Sequence, residues 1–242
     1  MNRSLILYKY RSFGEYADKI ILNSELNFAS HTSFNDPFDC NLEHRDFCSY
    51  TDEEFESYCQ KEGKQGADKE KYLTDLSEEL IKAKSEVGIL CMSQDYKNIL
   101  MWSHYAKNHE GLCFGFEYGF YEKSKITYSK VEYPENKEYK LISFFNPPKG
   151  EIKRMFTTKS EFWSYEKEIR FFDFNNGIGT KKFHKECLKE IIFGCKADET
   201  NIKKIIQLCQ LNGFEHVIFK KAKLIPGKFA LDFDELDKSQ YL

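Results

Sequence analysis

Short apolar runs and single amphipathic helices follow one another in no regular order, and this irregularity most limits the fold. Residues 5–10, 25–29, 87–93, 111–116, 126–133, 166–174, 190–193, 216–219 and 228–233 read as strands. Residues 15–23, 98–108 and 198–211 read as helices. The firmest is 198–211, where Ile202, Ile205, Ile206 and Cys209 mark one face at helical spacing. Tyr16, Ile20 and Ile21 do the same for 15–23. A doubly wound parallel sheet needs a steady strand-helix-strand rhythm, which is missing, as are the glycine-rich phosphate loops of the Rossmann and P-loop folds. The expected class is therefore α+β: a mixed, mostly antiparallel sheet with flanking helices. Residues 134–150, with Pro134, Pro147 and Pro148, read as loop, and 160–165 as a turn.

Residues 51–85 stand out as a charged helical insertion. Thr51 and Glu54 form a capping box, each side chain serving the other's backbone donor. Gly63 to Gly66 interrupt the helix, which resumes over 77–84. So few apolar residues predict an arm of a single domain over 1–242, without a core of its own. The chain is 41% hydrophobic and 31% charged, a globular balance, and its net charge of −3 carries no basic excess. General DNA binding is not expected, though a local RNA contact is compatible. No apolar run approaches the roughly 18 residues of a membrane span, and the stretch 5–7 is too short for a signal peptide. The expectation is a cytoplasmic protein without a membrane partner. Cys91, Cys113 and Cys209 lie in apolar stretches and read as buried thiols. Cys40, His44 and Cys48 are spaced by four but lack a second ligand pair, so no metal is expected.

Four polar-aromatic segments could carry chemistry. Tyr8-Lys9-Tyr10-Arg11 ends the first strand, with the tyrosines on one face and the cations on the other. An arginine at a strand end can grip phosphate or carboxylate with two donors, or simply be a surface residue among aromatic neighbours. Ser33-Phe34-Asn35-Asp36-Pro37-Phe38-Asp39 is turn chemistry, with Phe34 and Phe38 placed to pin the loop to the core. On a helix, Trp102, Tyr105 and His109 share a face and His104 points elsewhere. These rings suit stacking on a base or nicotinamide, or packing on a sheet. In an extended strand, Glu166, Glu168 and Arg170 share a face, which is costly in an apolar strand unless they pair or are used.

Tyr8-Lys9-Tyr10-Arg11-Ser12-Phe13, Ser33 to Asp39, Met101-Trp102-Ser103-His104-Tyr105-Ala106, Trp163-Ser164-Tyr165-Glu166-Lys167-Glu168-Ile169-Arg170 and Lys189 to Gly194, in this order, resemble an uncharacterised bacterial family. That resemblance spans about residues 5–233 and implies an intracellular bacterial or phage-related origin, but no activity. The order is also similar to that of ADP-ribosyltransferases. That likeness implies NAD as substrate, with Tyr10 or Arg11 on its ribose or phosphate. Tyr105 or His104 would be the middle motif, and Glu168, with Glu166, the catalytic carboxylate pair. Asn35, Trp102 and Arg170 complete the expected NAD-binding set. The protein would then be a toxin or phage-defence effector that modifies a protein or RNA acceptor. It departs from the transferase pattern in having no Ser-Thr-Ser strand and in placing the middle motif on a helix. Two other readings stand beside it. One is a non-catalytic sensor of a small ligand or protein. The other is a metal-dependent nuclease using Asp36, Asp39, Glu166 and Glu168, with His104 as base.

Overall fold

The computed structural model describes residues 5–40, 50–119, 126–135, 145 and 151–242. Among them, an eight-stranded sheet runs in the order β10-β9-β8-β4-β1-β3-β6-β5, and a two-stranded ribbon pairs β2 with β7. The strands are β1 (Ile6–Arg11), β2 (Glu25–Phe28), β3 (Gly88–Ser93), β4 (Leu112–Glu117), β5 (Thr127–Lys130), β6 (Glu168–Asp173), β7 (Gly179–Lys182), β8 (Leu188–Phe193), β9 (Ile218–Leu224) and β10 (Leu231–Glu235). All pair antiparallel except β8 with β9, which is parallel and spanned by a helix, as such a crossover requires. The α+β expectation holds. The helices are α1 (Glu15–Asn23), α2 (Asp52–Glu62), α3 (Lys69–Glu86), α4 (Ile99–Tyr105), α5 (Glu151–Thr157) and α6 (Glu199–Leu211).

Strand alternation divides the central sheet into two faces. Leu7, Leu90, Met92, Phe114, Phe116, Ile169, Phe171, Ile191 and Phe193 pack in one core with Ala17, Ile20 and Ile21 of α1 and Ile202, Ile205, Ile206 and Cys209 of α6. Each such burial contributes about 1.5–3 kcal/mol, so this face anchors the sheet. On the opposite face Tyr8, Tyr10, Cys113 and Ile192 pack with Met101 and Trp102 of α4.

Several local expectations are corrected. The arm does have a small aromatic core, because Tyr50, Phe55, Cys59 and Leu73 close on Phe145 from outside it. Its Thr51–Glu54 capping box forms as read. Glu166 does not lie in β6. It ends a 3-10 turn (Glu161–Glu166), and Lys167, with φ 46°, kinks the chain before the strand starts at Glu168. His109 is not on α4 either. That helix stops at Tyr105, and Lys107, Asn108 and His109 all take left-handed conformations, with φ 47°, 55° and 69°. Phe38 is exposed rather than pinning its loop. Residues 134–150 lie largely outside the described residues, as do His44 and Cys48.

Candidate functional site

The two halves of the large sheet meet at β1 and β3, and there the pairing is almost absent. Tyr8 opposite Ser93 is the register pair that joins them, whereas β1 stays paired along its whole length with β4. Beyond Tyr8 the strands diverge. A cavity of about 580 Å³ opens between them, a volume ordinary for a small-molecule site. Its walls are Lys9, Tyr10 and Arg11 of β1, Cys91 and Ser93 of β3, Asn35 and Asp39 of the loop after β2, His104 and Tyr105 of α4, and Lys159, Glu166 and Glu168. Lys9 Nζ crosses the gap to donate to the Cys91 carbonyl at 2.7 Å, taking the place of the missing strand neighbour.

Behind the cavity is a buried ionic cluster. Arg170, fully buried, donates through Nε to Glu168 Oε1 (2.8 Å) and through a terminal nitrogen to Glu168 Oε2 (2.9 Å) and Asp39 Oδ2 (2.7 Å). Its other terminal nitrogen donates to the Phe156 carbonyl at 2.8 Å. Lys159 Nζ stands 2.6 Å from Glu166 Oε2, 3.2 Å from Asp39 Oδ2 and 3.6 Å from Glu168 Oε2. The ammonium thus occupies the focus of three carboxylates, where a nuclease metal would have to sit. Among the described residues no group of His, Cys, Asp and Glu is arranged to hold a metal ion. The remaining oxygen of Glu166 accepts from the Tyr105 hydroxyl at 2.6 Å. Ser93 Oγ donates to the Glu166 carbonyl and fixes the turn beneath it.

These contacts split the two glutamates chemically. Burial raises the carboxyl of Glu168, but the Arg170 guanidinium and Lys159 outweigh it and hold the group down at about 2. Burial raises Glu166, and Lys159 and Tyr105 only partly offset this, so it stays above the usual carboxylate range. Burial would lower the Lys159 ammonium; Glu168, Asp39 and Glu166 lift it above normal instead. Among the described residues no carboxylate is bonded to Lys9. Burial, and then the neighbouring Arg11, push it down to about 8. Burial likewise lowers Arg11, whose Nε is sealed from solvent with no hydrogen-bond partner among the described residues.

The expected site residues therefore separate. Tyr10, Arg11, Asn35, His104, Tyr105, Glu166 and Glu168 line one cavity. Trp102 and Arg170 do not. Trp102 is fully buried under Tyr10, with its indole N–H on the Tyr96 carbonyl at 2.7 Å, so it cannot stack on a ligand. Arg170 positions Glu168 from behind. Asp36 is buried in its own turn, where Oδ1 accepts from the Phe38 N–H, and is not among the cavity walls. Cys113 and Cys209 are buried as read, while Cys91 opens onto the cavity. Sequence reasoning missed Lys159, which no motif marks, and gave Lys9 no role, although its alternation with Arg11 was visible.

Fold and site together describe an α+β protein with a charged cavity let into the middle of its mixed sheet. Residues 101–171, which run from α4 to Glu166, Glu168 and Arg170, match a family described as a protein of unknown function (DUF2971). The resemblance to an uncharacterised family thus stands, and that match includes the His104–Tyr105 and Glu166–Arg170 motifs. No curated protein and no solved structure matches the chain. Among the described residues no helix is long and apolar enough to cross a membrane.

Proposed function

We propose that the cavity binds a phosphorylated nucleotide of the NAD class and that the chain cleaves its nicotinamide–ribose bond, with Glu166 as the catalytic carboxylate. The observation that carries this reading is the pairing of two chemically opposite walls in one cavity. Lys9 and Arg11, like charges side by side on one wall of the cavity, favour an anion. Glu166 and Tyr105 stand on the other wall. Burying two adjacent cations is costly unless something negative joins them, and phosphate fits both donors.

In the reaction the bond between ribose C1′ and the nicotinamide nitrogen breaks, and its electron pair leaves with nicotinamide. The cationic sugar is stabilised by a nearby carboxylate. Water, or a hydroxyl of a protein or RNA acceptor, adds its oxygen to C1′ and gives up its proton to Glu166. A carboxylate raised by burial is a better base near neutrality than an ordinary one. Glu168, the carboxylate favoured by the motif order, is paired with the fully buried Arg170 and held down at about 2, which makes it a poor base near neutrality, so it serves as scaffold.

The test is a melting and turnover assay with NAD. Ligand that binds the native state raises the melting temperature by mass action. Wild type should be stabilised and should release nicotinamide. Glu166→Gln should still be stabilised while turning over about a hundredfold more slowly, the lower end for loss of a general base. If NAD neither stabilises the protein nor is consumed, the reading fails. A non-catalytic ligand sensor is the second reading, favoured because Glu166 is already held by Lys159 and Tyr105. Stabilisation without nicotinamide release would select it.

The anion wall also predicts a pH dependence. Lys9 faces Arg11 on its own strand, Cys91 across the gap and Glu166 and Glu168 beyond it. Its charge is lost as the pH rises through about 8, so NAD affinity should weaken over that range. In Lys9→Met the affinity should be lower and flat between pH 7 and 9. Titration by calorimetry reads both, and a wild-type affinity constant to pH 9 would remove Lys9 from the binding wall.

A further inference from the structure

Beside the cavity, three rings form a stepped aromatic surface. The centroids of His104 and Trp163 are 6.2 Å apart, those of Trp163 and Tyr165 6.0 Å, and those of His104 and Tyr165 6.4 Å with their planes 30° apart. The surface is continuous with the cavity, because His104 and Lys159 are cavity walls and Lys159 Nζ lies 4.9 Å from the Trp163 ring centre. His104 and Phe162 are exposed, and Trp163 and Tyr165 are half-buried. Tyr165 packs in part on the α4 core and Trp163 lies beside the Lys159 ammonium, but both rings keep area open next to the cavity. The cavity itself combines the charged and hydrogen-bonding groups suited to phosphate and sugar with apolar wall from Phe34, Ile89, Met92 and Met101.

We infer that His104, Trp163 and Tyr165 form a stacking subsite for the adenine ring of the ligand whose phosphates lie against Lys9 and Arg11. This rests on the nucleotide reading above and adds which end of the ligand faces outward. A base stacked on this step leaves the ribose and phosphate pointing into the cavity, past Lys159. It also gives Trp163 the role that buried Trp102 cannot fill. Stacking on an aromatic side chain tolerates any base, so adenine over other bases would be chosen elsewhere.

The experiment uses AMP and inorganic pyrophosphate as probes of the full chain. Tryptophan emission reads the step, and melting shift reads occupancy. Trp102 is sealed in the core but packs against Tyr10 of the cavity wall, so the emission change that belongs to Trp163 is the part lost in Trp163→Phe, which keeps Trp102. AMP should quench wild-type emission saturably. Trp163→Ala should weaken AMP about tenfold or more while leaving pyrophosphate binding unchanged, as loss of one stacked base implies. Trp163→Phe keeps a ring on the step and should bind AMP within a few-fold of wild type, which guards against a folding defect in the alanine variant. Arg11→Ala should weaken both probes. AMP binding Trp163→Ala as tightly as wild type overturns the subsite and leaves the anion wall intact. Pyrophosphate failing to bind while AMP still quenches Trp163 sinks the anion reading and upholds the stacking step. AMP that neither quenches nor stabilises overturns the subsite.

Discussion

Glu168→Gln should lower the stability of the protein by about 3 kcal/mol, because it removes one charge from a buried pair and leaves the other without its full complement. Arg170 has no exposure to fall back on, and Asp39 already shares its acceptor between Arg170 and Lys159. For a chain of this length that is a fall in melting temperature of roughly 10 °C. The loss should depend on pH in a defined way. Glu168 titrates at about 2 in the folded state against an ordinary 4.5. Its depressed group therefore contributes stability that is whole above pH 4.5 and disappears as the pH falls through about 2. The gap between wild type and variant should be full at pH 7 and close across that window. Equal melting at pH 7 would show that the bidentate pair contributes nothing. A loss of activity in Glu168→Gln would report on folding as well as chemistry, and Glu166→Gln breaks the buried 2.6 Å pair with Lys159, so the turnover of either variant is read beside its own melting curve.

Lys159→Met should be worse, by about 3–5 kcal/mol at neutral pH, because Asp39 and Glu168 then share Arg170 alone and Glu166 keeps only the Tyr105 hydroxyl. The pH trend follows from the same linkage. Lys159 lowers both Glu166 and Glu168, so its removal raises both. A carboxyl with a raised folded-state value favours the folded state as it takes up a proton, so the deficit should shrink as the pH falls below neutrality. In wild type the ammonium is itself raised, and its contribution persists up to strongly alkaline pH. Chemical denaturation at pH 5 and pH 7 separates the cases: a deficit larger at pH 5 would contradict the focal arrangement. Methionine preserves the length of the stem, so cavity formation does not confuse the result.

How much of this was legible beforehand varies with what kind of signal each element leaves. α1 and α6 carry apolar residues at helical spacing and their extents were read almost to the residue, although on α1 Ala17, and not the exposed Tyr16, joins Ile20 and Ile21 on the buried face. β7 could not be read, since Gly179 to Lys182 holds no apolar alternation and is extended only because β2 pairs with it. The strand expected from Glu166 was displaced by two residues through one left-handed lysine, a conformation that nothing in the residue type announces. α4 stopped early for the same reason, at Lys107 to His109. The glutamates and Arg11 were visible because charge in apolar strands is costly and so conspicuous. Lys159 was not, because its meaning comes wholly from residues 39, 166 and 168, which reach it only through the tertiary fold.

The divergence of β1 from β3 gives the molecule a seam. On one side lie five strands ending at β10, on the other three ending at β5, and Tyr8 with Ser93 is the rung where the two sets are laced together. Lys9, reaching across to the Cys91 carbonyl, acts as a stitch made of side chain rather than backbone. A ligand of the proposed kind in the seam would complete the sheet without being part of the chain. A ligand anchored to Arg11 on one lip and to Glu166 beyond the other would draw the lips to a set spacing, and the two sets of strands would move as a single plate.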